Sequence, residues 1–204
     1  MAAATRSTAR ASGARRARPG WKDRLLTLEE FLDLPEVKPA LEFDEGRVTQ
    51  KVSPRARHST LQGAFVESVN RRFRRRKIAV AFPELRATFG GRSFVPDVSV
   101  FRWERIPREP SGEVADDVSV APDIAVEVVS PKQSVNALVR RCLRYTSLGV
   151  RIALLVDSAD RSVVLFKPGA SAVALRGADQ IDLDEVLPGF RLAVDDLFKS
   201  LLMV

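Results

Sequence analysis

Two acidic residues stand out by their surroundings. Asp97 lies in Phe94-Val95-Pro96-Asp97-Val98-Ser99-Val100, and Glu127 in Ile124-Ala125-Val126-Glu127-Val128-Val129. Each is a lone carboxylate among β-branched residues, a setting in which burial is costly unless a proton, a cation or a metal neutralises the charge. Two such strands side by side would bring both groups onto one divalent ion, and hard cations such as Mg²⁺ or Mn²⁺ take oxygen ligands. Pro96 has no N–H to give to a sheet ladder, which favours an edge or bulge there and can aim Asp97 into a cleft. Singly, Asp97 reads as a strand end and Glu127 as the partner of a core arginine; together, they read as a metal site.

Composition narrows the chemistry further. His58 and Cys142 are the only histidine and the only cysteine, so no zinc finger, HExxH protease or multi-histidine nuclease site can be assembled, and a metal must sit on carboxylates. One cysteine excludes an internal disulfide and suits a reducing, cytoplasmic setting. No apolar run approaches membrane-span length. The net charge of +7 resembles a nucleic-acid signature, but Arg6, Arg10, Arg15, Arg16 and Arg18 supply five of those charges in the first twenty residues. The remainder is nearly neutral, which argues against a protein that coats a duplex with its whole surface.

The elements that must position these residues follow from pattern. Residues 1–22 read as a disordered basic tail with too few large apolar side chains to order themselves, and 23–204 as a single domain. Thr27 and Glu30 form a capping-box pair that opens a short helix ending before Pro35. Residues 41–43 and 47–52 read as a hairpin around Asp44-Glu45-Gly46. A long helix is expected from Ser53-Pro54 to about Lys77, with Leu61, Phe65, Val69 and Phe73 as its buried stripe. Its end is crowded with Arg71, Arg72, Arg74, Arg75, Arg76 and Lys77; cations complementing a helix C-terminus are the simpler reading, a phosphate-binding patch the sharper one. Residues 78–89 and 93–101 are expected as strands around Gly90-Gly91, then a buried strand at 123–129, a helix at 134–148 stopped by Gly149, strands at 150–156 and 162–167, and a closing helix at 194–202. Hairpins with one β–helix–β passage imply a mixed sheet flanked by helices.

The ordered run PDVSVF, APDIAVEVVSP, RYTSLGV and IALLVDSADRSVVLFKPG resembles the Uma2 family, also called DUF820, of the PD-(D/E)xK restriction-endonuclease-like superfamily. The likeness continues through TQKVSPRARHSTLQ, AFPELRATFGGRSFVPD and LRGADQIDLDEVLPGFRL, and covers about residues 27–198. It implies that Asp97 and Glu127 are the metal ligands, with Glu42 and Glu84 at acidic positions that support the site. The superfamily's lysine would fall at Val129; in many Uma2 members it lies instead on the next helix, where this chain has Arg141. Arginine can hold a phosphate but stays protonated and cannot act as a general base. Lys51 is an alternative donor if the first hairpin lies beside the site. His58 and Gln62 match a recurrent HSxxQ segment that can orient water or substrate, although a lone histidine is more often structural. Cys142 falls on an apolar helix stripe and reads as core.

These readings converge on an α/β (α+β), restriction-endonuclease-like fold with a mixed β-sheet core. The expected activity is Mg²⁺- or Mn²⁺-dependent hydrolysis of DNA, with nucleic acid as partner, no membrane, and a homodimer by analogy with related nucleases. A catalytically silent nucleic-acid-binding module and a protein-interaction scaffold centred on RGADQIDLDEVLPGF are the rivals.

Overall fold

A computed structural model describes residues 21, 24–131 and 133–203; the expected basic tail, except Trp21, lies outside them. Trp21 itself is buried with Leu26, Phe31, Leu41 and Phe43 in a small apolar cluster. Helix α1 (Leu28–Leu32) begins with the capping box, Thr27 and Glu30 each accepting the other's backbone N–H. Strands β1 (Leu41–Asp44) and β2 (Arg47–Gln50) form the expected hairpin, turning at Gly46 with φ +82°. Helix α2 spans Ala56–Phe73, shorter at both ends than the sequence suggests. Arg74 to Lys77 form a turn outside the helix, and Lys77 has φ +53°.

The next segment departs from expectation in an instructive way. Each of the two long strands expected around Gly90-Gly91 is broken in two, giving β3 (Ala79–Pro83), β4 (Ala87–Phe89), β5 (Arg92–Phe94) and β6 (Val98–Arg102). The inner pair, β4 and β5, joins β1 and β2 in a four-stranded sheet of order β2-β1-β5-β4. The outer pair, β3 and β6, enters the larger sheet. Pro83 and Pro96 mark the two breaks, as expected of residues that cannot donate to a ladder. The chain thus crosses from one sheet to the other at Val95-Pro96-Asp97, and Asp97 stands at the junction.

Strand β7 (Ile124–Val128), helix α3 (Val135–Ser147) and strand β8 (Ile152–Asp157) form the β–helix–β passage, with β7 and β8 parallel. Strands β9 (Ser162–Phe166) and β10 (Val173–Arg176) complete a six-stranded sheet of order β10-β9-β8-β7-β6-β3, and α4 (Val194–Lys199) follows. Strand β10 was not expected, since its residues are mostly exposed and show no buried alternation.

Alternation sorts the large sheet's side chains cleanly onto two faces. Val98, Val100, Ile124, Val126, Ile152 and Leu154 pack against the α2 stripe of Leu61, Phe65, Val69 and Phe73 and against α4. Ala125, Ala153 and Leu155 face α3, through Leu138, Cys142 and Tyr145, together with Phe89 and Phe94 of the small sheet. Glu127 falls by parity on the α3 face. Among the described residues, no helix is long and apolar enough to cross a membrane.

Candidate active site

Strands β6 and β7 pair antiparallel with Val98 opposite Val126, so the next step of that register sets Asp97 opposite Glu127. Directly opposed residues on an antiparallel pair lie about 5 Å apart at Cβ. Asp97 is 2% exposed. Its Oδ1 accepts from Lys51 Nζ at 2.6 Å, and its Oδ2 accepts from the backbone N–H of Val128 at 2.7 Å. Lys51 Nζ also donates to the carbonyl of Val95 at 2.6 Å. On the backbone side, Gln62 Nε2 donates to the Asp97 carbonyl at 2.7 Å and the Glu84 N–H at 3.1 Å. His58 Nδ1 lies 2.9 Å from Ser130 Oγ. Its Nε2 comes within 3.3 Å of Asp97 Oδ2.

Glu127 is equally buried but less well compensated. Its Oε1 accepts a hydrogen bond from the Tyr145 hydroxyl at 2.6 Å, while the nearest guanidinium nitrogen, Arg141 Nη1, is 3.7 Å away. Arg141 spends its fork on Glu42, at 2.8 and 2.7 Å, and Glu42 Oε1 also accepts from the Val95 N–H at 2.9 Å. Arg141 and Tyr145 are four residues apart on α3 and therefore share a helix face. The Tyr145 ring is fixed edge-on against Phe94, with centroids 5.2 Å apart.

Electrostatics separate the two acids. Burial alone would raise the Asp97 pKa, but the His58 ring and the Lys51 ammonium more than offset it, holding the carboxyl down at about 2. Burial pushes Glu127 up to about 7; Arg141 counters this only in part, and the charge on Asp97 adds to the rise. Burial lowers the tendency of Lys51 to stay protonated, yet Glu127, Asp97 and Glu42 together hold its pKa above the usual lysine value. Three buried carboxylates thus share two cations, and Glu127 has the longest of the three ion pairs, 3.7 Å to an Arg141 already committed to Glu42.

The structure brings Glu42, Lys51, His58, Gln62, Asp97, Glu127 and Arg141 together. Glu84 touches the site only through its backbone, with φ +46° and an exposed side chain. Sequence reasoning missed Tyr145 and Ser130 as participants. The signal for Tyr145 was present in its spacing from Arg141, because a buried tyrosine hydroxyl needs a partner and the other polar group on that face is Arg141. Ser130 follows a strand by two residues, and nothing in that position points to His58. Cys142 is fully buried with its thiol 3.9 Å from the Leu154 carbonyl, and burial pushes its pKa up, as a core residue rather than a nucleophile.

Asp97 and Glu127 are hard oxygen donors set opposite each other between Lys51 and Arg141, and that donor set fits Mg²⁺ or Mn²⁺. Among the described residues no three His, Cys, Asp or Glu side chains close on one point. An ion held here would complete its shell with water and substrate phosphate, which is how Mg²⁺ is commonly bound.

The profile of the Uma2 family, described as "Putative restriction endonuclease", matches residues 28–195. A solved structure of a "putative nuclease belonging to DUF820" from Anabaena variabilis is 38% identical to the chain, with a TM-score of 0.84. That likeness covers 87% of this chain and 99% of the other. No curated protein matches the chain. With the family profile spanning most of its length and a relative of the same fold over nearly all of its partner, the chain belongs to the Uma2 family of restriction-endonuclease-like nucleases.

Proposed function

We propose that the chain is a Mg²⁺- or Mn²⁺-dependent endonuclease of DNA in which Asp97 and Glu127 hold the metal. The observation that carries this reading is the uneven compensation of the two acids: one ionised and braced by a lysine at 2.6 Å, the other buried, raised to about 7, with its nearest cation, Arg141, 3.7 Å away and committed to Glu42. A bound ion would supply Lewis acidity at a phosphate oxygen and a more acidic water.

The chain's own groups divide the remaining work. Lys51 stays protonated at neutral pH, so it serves as a donor and a positive charge beside the scissile phosphate and not as a base. Arg141 is the less available of the two cations, because Glu42 occupies both of its terminal nitrogens. Its part is to keep Glu127 chargeable from 3.7 Å and to lock α3 against β1. Tyr145 fixes one oxygen of Glu127, leaving the other for the ion. Gln62 holds the Asp97 backbone. His58, braced by Ser130, stands 3.3 Å from the second oxygen of Asp97 and helps to keep that carboxyl ionised. Lys51 thereby fills, from the first hairpin, the place that Val129 leaves empty in the superfamily motif.

Incubation of the purified chain with supercoiled plasmid and Mg²⁺ or Mn²⁺ tests the reading. Nicked and linear products are expected, none with chelator, and none from Asp97→Ala. Cleavage that survives the substitution would remove Asp97 from the chemistry.

A further inference from the structure

We propose that the end of the six-stranded sheet remote from Asp97 and Glu127 is a second, sequence-independent holding surface for the phosphate backbone of a nucleic-acid duplex. It is built from Arg74, Arg75, Arg76 and Lys77. All four side chains are exposed, and none has an acidic partner among the described residues, whereas Arg92, Arg144, Arg151, Arg176 and Arg191 are each paired with a carboxylate. Like charges packed this closely repel, and a helix dipole is complemented by cations within its last turn, so these four residues in the turn beyond α2 exceed what stability asks for.

The neighbouring structure anchors this turn to the sheet. Ala79, two residues after Lys77, lies opposite Arg102, and Trp103 donates its backbone N–H to the Ile78 carbonyl. Arg102, Arg105 and Arg151 converge on the buried carboxylate of Asp123, at 3.1, 2.7 and 3.5 Å, and with Glu104 and Glu185 also pairing Arg102 and Arg151 that cluster balances its own charge, which leaves Arg74 to Lys77 as the uncompensated cations at this end of the sheet. The folded part of the chain is nearly neutral in sum but segregated in space.

Edge strand β3 links this surface to the cleavage site. Its first residue follows the basic turn, and its last, Pro83, pairs with Val98 beside Asp97. Five residues of strand span about 16 Å, which at about 3.4 Å per base pair is roughly five base pairs of duplex. A duplex is favoured over a single strand because no exposed aromatic side chain interrupts the run, Phe73 being fully buried. It is favoured over a membrane because no exposed large apolar side chain interrupts it either. The choice of polymer rests on the nuclease reading above; the surface itself does not.

The test is binding of a labelled duplex several helical turns long, by fluorescence anisotropy in chelator, across a range of salt. One variant carries Arg74→Gln, Arg75→Gln, Arg76→Gln and Lys77→Asn. A control of equal charge carries Lys167→Gln, Arg176→Gln, Arg191→Gln and Lys199→Gln. Loss of four phosphate contacts should reduce the slope of log affinity against log salt by about 3.6 and weaken binding at least about tenfold, with the control near the unmodified chain and the melting temperatures unchanged. A duplex shorter than about five base pairs should bind the two variants alike. Equal slopes for variant and unmodified chain, an equal loss in the control, or tighter binding to phosphatidylserine vesicles than to duplex would overturn the proposal. Because no metal is present, failure of the cleavage reading at Asp97 leaves this measurement standing.

Discussion

The two ends of strand β7 each bury an acid, and they treat it in opposite ways. Asp123, just before the strand, is fully buried; one oxygen accepts the Arg102 N–H at 2.9 Å, and three arginines surround the other. Glu127, near the other end, has one hydroxyl at 2.6 Å and a guanidinium at 3.7 Å. Asp123 is met at short range by three arginines, two of them shared with Glu104 and Glu185, and ties the starts of β7 and β8 to the end of β6. Glu127 is less fully compensated, in a place where the fold brings a second carboxylate across from it. On the reading proposed above, a buried acid that the protein itself neutralises is architecture, and one less fully compensated is where an outside cation would sit.

Perturbing each end should separate the two roles. The largest effect is expected from Lys51→Met, which removes a buried donor beside Asp97. Cleavage measured under single-turnover conditions should fall by about 10²–10³, while Mn²⁺ binding persists. At the other end, Asp123→Asn should cost about 3 kcal/mol of stability in chemical denaturation, because partly exposed arginines can turn to solvent but the Arg102 N–H and the buried site cannot adjust fully. Metal affinity should stay unchanged there, and a change would blur the distinction between the two ends. Tyr145→Phe removes the one hydrogen bond to Glu127 without emptying the aromatic cluster. Metal affinity is expected to drop about 10- to 100-fold, with little change in melting temperature.

The last contrast lies in the pH dependence of the metal-free protein. A carboxyl held at about 7 when folded, against 4.5 as its ordinary value, contributes stability that is fully present below about 4.5 and lost as pH rises to about 7. Asp97 works in the other direction, contributing above 3.8 and losing its contribution toward about 2. Thermal melts in chelator should therefore show a decline between about pH 4.5 and 7 that Glu127→Gln flattens. A decline of equal size in that variant would assign the effect elsewhere.

Much of this was legible in the sequence, for identifiable reasons. The α2 stripe, the capping box at Thr27 and the Gly46 turn are local patterns, and local patterns survive folding. That Asp97 and Glu127 are buried and face each other could be anticipated only from the pair, since either acid taken singly has an ordinary structural explanation. The splitting of residues 78–89 and 93–101 between two sheets was not legible, because propensity is equally strong on both sides of each break and only the prolines hint at it. Lys51 could be named only conditionally, since its approach to Asp97 depends on how the first hairpin docks against β5 through the single pair Phe43 and Ser93. The engagement of Arg141 with Glu42, ninety-nine residues away in the chain, was beyond any local signal.

The account turns on one ion shared by two acids. A titration of the metal-free protein with Mn²⁺, followed by electron paramagnetic resonance, measures that directly. One bound ion is expected in the unmodified chain and none at the same concentrations in either Asp97→Asn or Glu127→Gln. Undiminished binding in either variant, each still folded, would contradict the claim that both carboxylates hold it.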